Sequence, residues 1–389
     1  MWSIFKAFFI LGCISFGGPA AHIGYFRETF VQRLVWLSER QYGEFVALSQ
    51  FLPGPGSSQV GFAIGYHRAG LLGACCAFLG FTLPSIALVL SLAISAVHWA
   101  DNSIVSSSIH ALKLLAVVVV FDAVLIMYKN FCKDNQHLFI CLLSACTLLI
   151  FPGVIEQLLV LTFSATYSIC CFKVKKIETT KKAKHCLITH PLRSVNYFPL
   201  VLFLVLLLLF PLLNELLPTF PLFSDFFQAG SFVFGGGHVV LPLLQNIVEG
   251  QISPDQFLTG YAIAQAVPGP MFTFATYIGY FMLPNSPILG ALIATIGVFL
   301  PGFLLLLGFL KNWKRLASIP NIRIALDGIN AAVVGLLISA LYNPVFTSAV
   351  FHALDMALVL IGIYLLKVRK WPVMGLVGSF ILVGASLAV

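Results

Sequence analysis

Apolar segments long enough to cross a membrane follow one another along nearly the whole chain. Hydrophobic residues make up 59% of its 389 residues, and charged residues make up 9%. A soluble domain carries about 25% charged residues, so most of this chain must face lipid or other apolar helices. Since a spanning helix needs about 20 apolar residues, hydropathy predicts about thirteen segments. They lie near residues 3–24, 43–66, 69–98, 104–128, 137–151, 153–172, 198–217, 222–243, 257–283, 287–310, 322–342, 353–366 and 371–389.

The net charge of +8 does not require a nucleic-acid partner. Cytoplasmic loops of membrane proteins collect Lys and Arg, and much of the charge here is local, between Lys173 and Arg193. The cysteines are scattered, mostly in apolar runs, without the C-x-x-C spacing of a metal site. The H-E-x-x-H motif and convincing nucleophile motifs are absent from the sequence. We therefore expect no nucleic-acid partner, no cysteine metal site and no enzymatic activity.

An internal repeat organises the apolar segments. Landmarks rich in Gly and Pro recur in the same order in the two halves of the chain, which indicates a duplicated unit. The matching pairs are 12–18 (GCISFGG) with 230–236 (GSFVFGG), 50–55 (QFLPGP) with 265–270 (QAVPGP), 73–84 with 290–301, and Lys113 with Asn330.

Matching loops of the two copies differ in charge. Residues 27–40 hold three arginines, while their counterpart 245–256 holds no Lys or Arg; conversely 99–108 holds none, and 311–323 is basic. Because basic loops stay in the cytoplasm, the copies are predicted to lie in opposite orientations, as in many secondary transporters. The predicted fold is an all-α polytopic membrane protein of two inverted-topology repeats, with its N-terminus inside and its C-terminus outside. Its predicted parts are 1–172 (first repeat), 173–197 (basic cytoplasmic linker), 198–217 (linking transmembrane helix) and 218–389 (second repeat).

Several segments are predicted to be interrupted. Residues 43–66 lie between basic stretches that both read as cytoplasmic, and prolines divide the segment into arms of about ten residues. At 1.5 Å per residue, each arm covers roughly half of a ~30 Å apolar core. We therefore predict re-entrant hairpins at 43–66 and 257–283, and broken or re-entrant segments at 3–24 and 222–243. This reduces the count of full spans to about nine, with thirteen as the alternative.

The segment after Pro53 is the first candidate binding site. Proline opposes a continuous helix and glycine permits an open turn, so a new helix can begin here with unpaired, partly positive N–H groups. Such a helix end binds oxyanions; the alternative is a kink that only aids packing. In the second copy, apolar residues replace most of the polar ones, so we expect the first repeat to hold more of the substrate. The candidates are Gln50, Pro53, Gly54, Pro55, Ser57, Ser58, Gln59, Gln265, Pro268, Gly269, Pro270 and Thr273.

The glycine-rich interruptions are candidates for the same cavity. They could present backbone amides to an anion, although glycines also allow close helix packing in membranes. The residues are Ser15, Gly17, Gly18, Gly235 and Gly236. His22 and His238, which follow these glycines, are candidates for substrate binding and for carrying protons, against the alternative of ordinary hydrogen bonding.

Lys113 lies deep within an apolar segment. A cation there is costly and is a functional candidate, either as counter-charge to an anion or in a structural pair with another helix. Asp122 lies about 180° further around the same helix, so the two cannot pair along it. Asp122 is a candidate for proton coupling.

These motifs together resemble the chromate ion transporter family, in particular its long-chain, two-domain members. The matching residues are 11–12 (LG), 15–19 (SFGGP), 21–22 (AH), Val31, Trp36, Tyr42, 47–48 (AL), Gln50, 52–55 (LPGP), 57–59 (SSQ), Gly61, 81–84 (FTLP), 234–238 (FGGGH) and 267–270 (VPGP). The resemblance implies efflux of chromate, as a sulfate-like dianion, across the bacterial inner membrane, without cofactor or metal. It also implies chromate resistance.

The mechanism expected from residues and resemblance together is alternating access around an oxyanion held by opposed helix ends. The expected partners are therefore the oxyanion and the lipid bilayer, with a homodimer left open. The alternatives are a transporter of a different anion, such as sulfate, and an anion channel, which could use the same helix ends.

Overall fold

The computed structural model describes residues 1–16, 18–98, 102–171, 196–213, 219–234, 237–248, 250–310 and 319–387. Within these ranges the chain forms sixteen α-helices and no β-strand. This confirms the predicted fold class, an all-α polytopic membrane protein of two repeats with interrupted Gly/Pro-rich hairpins. Gly17, Gly235, Gly236 and nearly all of the predicted linker 173–197 lie outside the described residues.

The first repeat contains seven α-helices. A π-helical turn, Arg27–Arg33, extends the second of them. The helices are α1 (Trp2–Ile14), α2 (Gly18–Phe26), α3 (Glu39–Phe51), α4 (Gly56–His98), α5 (Ser103–Phe131), α6 (Asn135–Ile150) and α7 (Val154–Cys171).

A linking helix and eight further helices follow. Short 3-10 turns, Gly237–Val239 and Met271–Thr273, precede two of the second-repeat helices. The linking helix is α8 (Tyr197–Leu209), and the second repeat comprises α9 (Thr219–Ser231), α10 (Val240–Val248), α11 (Pro254–Ala266), α12 (Phe274–Met282), α13 (Pro287–Phe309), α14 (Pro320–Ala340), α15 (Ala353–Lys367) and α16 (Val373–Leu387).

Each predicted interruption is present. Helix α1 ends at Ser15, whose backbone is extended, and helix α9 ends at Ser231, before the second glycine-rich stretch. Helices α3 and α11 end at Leu52 and Val267, which are also extended because each precedes a proline that disfavours helical geometry. Helices α3 and α11 have 13 residues each, about 20 Å, which is less than a ~30 Å apolar core. Their length supports the prediction of hairpins.

The chain reverses direction after the second arm of each hairpin. In the first repeat the reversal is at Ala69 and Gly70, whose backbone angles are not helical. The arms then pack so closely that a side chain on Gly65 would collide with the carbonyl of Gly73, and Gly279 meets Gly290 in the same way in the second repeat. The glycine landmarks of the sequence thus mark contacts between backbones.

The long helices α5 and α14 interlock the two repeats. Helix α5 packs against α15 and α16 of the second repeat, where Gly362 and Gly384 allow close approach. Helix α14 packs in the same way against α6 and α7 of the first repeat, through Gly335 and Gly328. The repeats therefore share one interior and are not separate domains.

Four helices in the described part of the chain are long and apolar enough to cross a membrane. They are Gly56–Ser95, Ser103–Phe131, Pro287–Phe309 and Pro320–Phe346. The first of these contains the reversal at Ala69 and Gly70, so its long continuous arm is the part after Gly70. Several segments predicted as full spans form shorter helices: α6 has 16 residues, and α15 and α16 have 15 each. At 1.5 Å per residue these are about 22–24 Å long. The number of full spans stays a prediction.

We expect Gly12→Ala to destabilise the protein. A methyl group at Gly12 would stand 2.5 Å from the carbonyl oxygen of Phe81 and force α1 away from α4. Overpacking of this kind costs about 1–3 kcal/mol. Thermal denaturation of the purified protein in detergent should show a midpoint lowered by several degrees.

Gly24→Ala is the matched control for this substitution. No atom outside the immediate chain lies within 4 Å of a methyl group there, and alanine favours the helix by about 1 kcal/mol. Its midpoint should therefore stay the same or rise. Equal effects of the two substitutions would contradict the packing described for α1 and α4.

Candidate functional site

The two Pro-Gly-Pro loops are joined to the opposite repeats by a reciprocal pair of backbone hydrogen bonds. The N–H of Gly54 donates to the carbonyl of Val233, and the N–H of Gly269 donates to the carbonyl of Ser15, each at 2.8 Å. Ser15 and Val233 occupy equivalent positions of the repeat, just after α1 and α9. The contacts are thus the same contact made twice, as across a two-fold axis. The arrangement is the one expected of two repeats related by a two-fold axis, and the inverted orientation stays a prediction.

Side chains hold the two loops in different ways. Gln59 Nε2 donates to the carbonyls of Pro53 at 2.8 Å and Gly302 at 3.1 Å. On the other side, Ser85 Oγ donates to the carbonyl of Pro268 at 2.6 Å. Both proline carbonyls are therefore fixed by a side chain, but from unrelated positions.

The middle residue of each Pro-Gly-Pro loop must be glycine for its backbone angle and for the space around it. Gly54 has a φ of +116° and Gly269 a φ of +100°, a region that residues with a side chain rarely adopt. A methyl group at Gly54 would also stand 2.9 Å from the Cα of Gly302, and one at Gly269 would collide with Ser85 Oγ. The loops are therefore held close to their neighbours on both sides.

A cavity of about 380 Å³, here called the central cavity, lies between the loops. Its lining includes seven of the sequence candidates, drawn from both repeats. They are Gly18, Gln50, Gly54, Asp122, His238, Gln265 and Gly269.

Four helix N-termini line the central cavity. Each is the first residue of the helical segment that resumes after an interruption. Gly18 begins α2, Gly56 begins α4, and Gly237 and Met271 begin the 3-10 turns that lead into α10 and α12. The first N–H groups of a helix lack intrahelical partners and carry partial positive charge. The cavity is therefore electropositive at its backbone without an array of cationic side chains.

Two sets of polar side chains at the central cavity are connected. His238 Nδ1 lies 3.0 Å from the hydroxyl of Tyr261, and Gln265 Nε2 lies 3.4 Å from the same nitrogen. The carboxylate of Asp122 forms an ion pair with the ammonium group of Lys367, the last residue of α15. Two proton-coupling candidates of the sequence, Asp122 and His238, thus line one cavity.

Several candidates of the first repeat lie behind the loop and do not line the central cavity. Ser57, expected near the helix cap, has its hydroxyl 3.2 Å from His22 Nδ1. Within the described residues, the hydroxyl of Ser58 has no hydrogen-bond partner. The buried polar group consists of Ser15, His22, Ser57, Ser58 and Gln59. The loop residues Pro53, Pro55, Pro268 and Pro270 and the buried Thr273 also lie outside the lining described for the cavity.

Lys113 lies in a different cavity. It is 5% exposed, and its ammonium group pairs with the carboxylate of Asp255, at the start of α11. The space beside it encloses about 700 Å³ and is here called the Lys113 cavity; it also contains His110, whose Nε2 lies 3.0 Å from Asp355. The structure therefore does not bring Lys113 to the loops, and it gives the residue a partner on another helix.

The sequence did not single out Met271 or Lys367 as site residues, and it included Gly237 only as part of the glycine-rich stretch 234–238. Met271 and Gly237 belong to the site through their backbone position at a helix start, so their side chains give no sign of it. Lys367 lies in a basic stretch, which in a membrane protein indicates a cytoplasmic loop and not a binding site. Its partner Asp122 is far away in the chain, so the sequence does not show the pairing. The repeat alignment contained the signal for Met271, because it follows the second Pro-Gly-Pro.

Comparison with known protein families gives a match in both halves of the chain. The chromate transporter family matches residues 2–169 and again residues 220–387. The chain belongs to the chromate transporter family. The two matched stretches coincide with the duplicated unit that the Gly/Pro landmarks define.

Several known proteins are similar to this chain over most of its length. An uncharacterized transporter of Methanocaldococcus jannaschii is 29% identical, over 95% of this chain and 90% of its own. A probable chromate transport protein of Synechococcus elongatus is 29% identical, over 86% of this chain and 81% of its own. The chromate transport protein of Cupriavidus metallidurans is 27% identical, over 86% and 80%. No solved structure matches the chain.

We expect Gly54→Ala to destabilise this member of the chromate transporter family. The alanine would adopt an unfavourable φ, at a cost of about 1–2 kcal/mol, and would collide with Gly302. Gly56→Ala, two residues on, is the control, because its methyl group would meet nothing closer than 3.7 Å. Thermal denaturation in detergent should show a lower midpoint for Gly54→Ala only. Equal midpoints would contradict the described loop.

Proposed function

We propose that the chain is a secondary active transporter that exports chromate, or a sulfate-like oxyanion, by alternating access around the central cavity. The observation that carries the proposal is the convergence of four helix N-termini on one cavity between the repeats. Family membership supports an oxyanion substrate. The bacterial inner membrane is the proposed location.

The chemistry of the cavity suits an oxyanion that carries charge on several oxygens. Backbone N–H groups at helix ends donate hydrogen bonds from fixed positions, and the helix dipoles favour negative charge. Four such ends approach from four segments, so the oxygens of a tetrahedral anion could each meet a donor. Gln50 and Gln265, one from each repeat, add amide donors to the lining.

We place the opening of the central cavity on the cytoplasmic side. Asn130, Phe131 and Leu366 line it and adjoin the basic residues Lys129 and Lys367. Positive residues accumulate in cytoplasmic loops. The proposed orientation has the N-terminus inside and the C-terminus outside, and the conformation described here faces inward.

In the same orientation the Lys113 cavity opens outward. Its lining includes Ser106, Asp255, Asp355 and Leu387, from segments predicted to lie on the outer side. We assign Lys113 to this outer side, where its ion pair with Asp255 joins α5 to α11. An oxyanion would meet Lys113 after it leaves the loops.

The two-fold relation of the repeats supplies a route between inward and outward states. The reciprocal bonds of Gly54 and Gly269 place the loops on either side of the pseudo-symmetry axis. If the repeats exchange conformations, the same loops face the other side of the membrane, as proposed for inverted repeats in general. In this view the loops hold the anion, and helices such as α5 and α14 move around them.

Flux into inside-out vesicles tests this proposal. We expect saturable uptake of labelled chromate that depends on an imposed membrane potential or proton gradient, with vesicles lacking the protein as the baseline. Flux that does not saturate and follows only the anion's own electrochemical gradient would indicate a channel. Saturable flux of sulfate without flux of chromate would retain the transporter and would exclude chromate, leaving a sulfate-like oxyanion as the substrate.

Met271 variants link that flux to the cavity. Met271→Glu would place a carboxylate at a cavity-lining helix start, and repulsion should lower oxyanion flux by at least about tenfold. Met271→Gln, which has nearly the same shape without the charge, is the control and should keep most of the flux. Equal flux in the two variants would show that the anion does not pass this helix end.

A further inference from the structure

The central cavity contains a carboxylate, although its backbone is arranged to attract an anion. Asp122 lies on α5 of the first repeat and lines the cavity. Its carboxylate pairs with the ammonium group of Lys367, on α15 of the second repeat. Their side chains are 21% and 34% exposed, so protein screens the pair only in part. Asp122 and Leu366, the neighbour of Lys367 in the chain, both line the cavity.

An oxyanion dianion in this cavity would repel Asp122 and attract Lys367. Charges that approach within a few ångströms interact strongly when protein and not water surrounds them. Asp122 and the anion therefore compete for one ammonium group. Lys113 cannot relieve the competition in this conformation, because it is paired with Asp255 in the other cavity.

We propose that Lys367 is the counter-ion of the bound oxyanion and that Asp122 takes up one proton when the oxyanion binds. The inference rests on the proposed function, since it concerns the substrate of the same cavity. The ammonium group moves from the carboxylate to an oxygen of the anion. The carboxylate takes up one proton from the bulk solution, so that the proton and the anion enter the cavity together.

Two groups from other elements face Asp122. Lys367 forms its ion pair, and His238 lines the same cavity. Of the described residues, none of the other charged or titratable groups on helices packed against α5 is hydrogen-bonded or ion-paired to Asp122. Those groups are Asp255, Tyr261, Arg323, Asp327, Tyr342, Asp355 and Tyr364.

This exchange would reduce the charge that crosses the membrane. An oxyanion that enters with one proton adds a single net negative charge to the protein, whereas a bare dianion adds two. Since charge is costly within the apolar core, the protonated carboxylate lowers the barrier to the conformational change. A membrane potential that is negative inside still drives the complex outward.

Equilibrium binding of radiolabelled sulfate to the purified full-length protein tests the proposal, because sulfate stays a dianion across the neutral pH range. Lys367→Gln should weaken binding by about tenfold or more, as expected for loss of a charge-assisted hydrogen bond. Asp122→Asn should bind sulfate at least as tightly as the unmodified protein, because the competitor for Lys367 is gone. Lys129→Gln, which removes an exposed charge near the same end of α5, is the control.

Proton uptake on binding gives the second readout, measured with a pH dye in weakly buffered solution. The unmodified protein should take up about one proton per sulfate bound, and because binding takes up a proton its affinity for sulfate should fall as the pH rises. Asp122→Asn should bind sulfate without proton uptake and with an affinity independent of pH. Uptake that persists in Asp122→Asn would assign the proton to His238 and overturn the proposal.

Two further variants keep the test decisive if one of the single substitutions prevents folding. Lys367→Arg keeps the charge and should keep binding, and the neutral pair Asp122→Asn with Lys367→Gln should bind weakly and without proton uptake. If Lys367→Gln and Lys129→Gln bind sulfate with equal affinity, Lys367 is not the counter-ion of the bound oxyanion. If the unmodified protein binds neither sulfate nor chromate, the proposed function itself fails.

Discussion

The reciprocal hydrogen bonds of Gly54 and Gly269 are the interaction on which the rest of the structure depends. Each joins the Pro-Gly-Pro loop of one repeat to the end of the first helix of the other. Polar backbone at membrane depth must be satisfied by protein, because the bilayer core offers no hydrogen-bond partners. The loops can therefore interrupt their helices only while the repeats remain together, and the two-fold arrangement follows from that need.

The same requirement explains the candidate site. An interrupted helix leaves its first N–H groups without partners, and four such starts line the central cavity. A bound oxyanion would accept hydrogen bonds from these N–H groups, which have no partner within the helix. The interruptions of the helices therefore also supply the donors of the candidate site. The repeats differ behind the loops: polar Ser57, Ser58 and Gln59 in the first repeat correspond to Phe272, Thr273 and Phe274 in the second. Because of that difference, the two sides of the shared cavity are not chemically equivalent.

The sequence predicted the interruptions, because Pro53 and Pro268 cannot continue a helix. It also predicted the repeats, because glycines such as Gly80 and Gly297 occur where helices touch. It could not predict which face of a resumed helix Ser57 would occupy, since that depends on the φ and ψ angles of the loop. Nor could it pair Lys113 with Asp255 or Asp122 with Lys367, because tertiary packing alone brings these residues together.

Protection of a single cysteine in the central cavity tests the central claim most directly. In a protein without its native cysteines, Ala123→Cys would line the central cavity and Ile109→Cys would line the Lys113 cavity. If the oxyanion binds between the loops, sulfate should slow the reaction of a thiol reagent with Ala123→Cys, with half-maximal protection near the sulfate dissociation constant. Ile109→Cys should react at an unchanged rate. Protection confined to Ile109→Cys, or absent from both, would contradict the account.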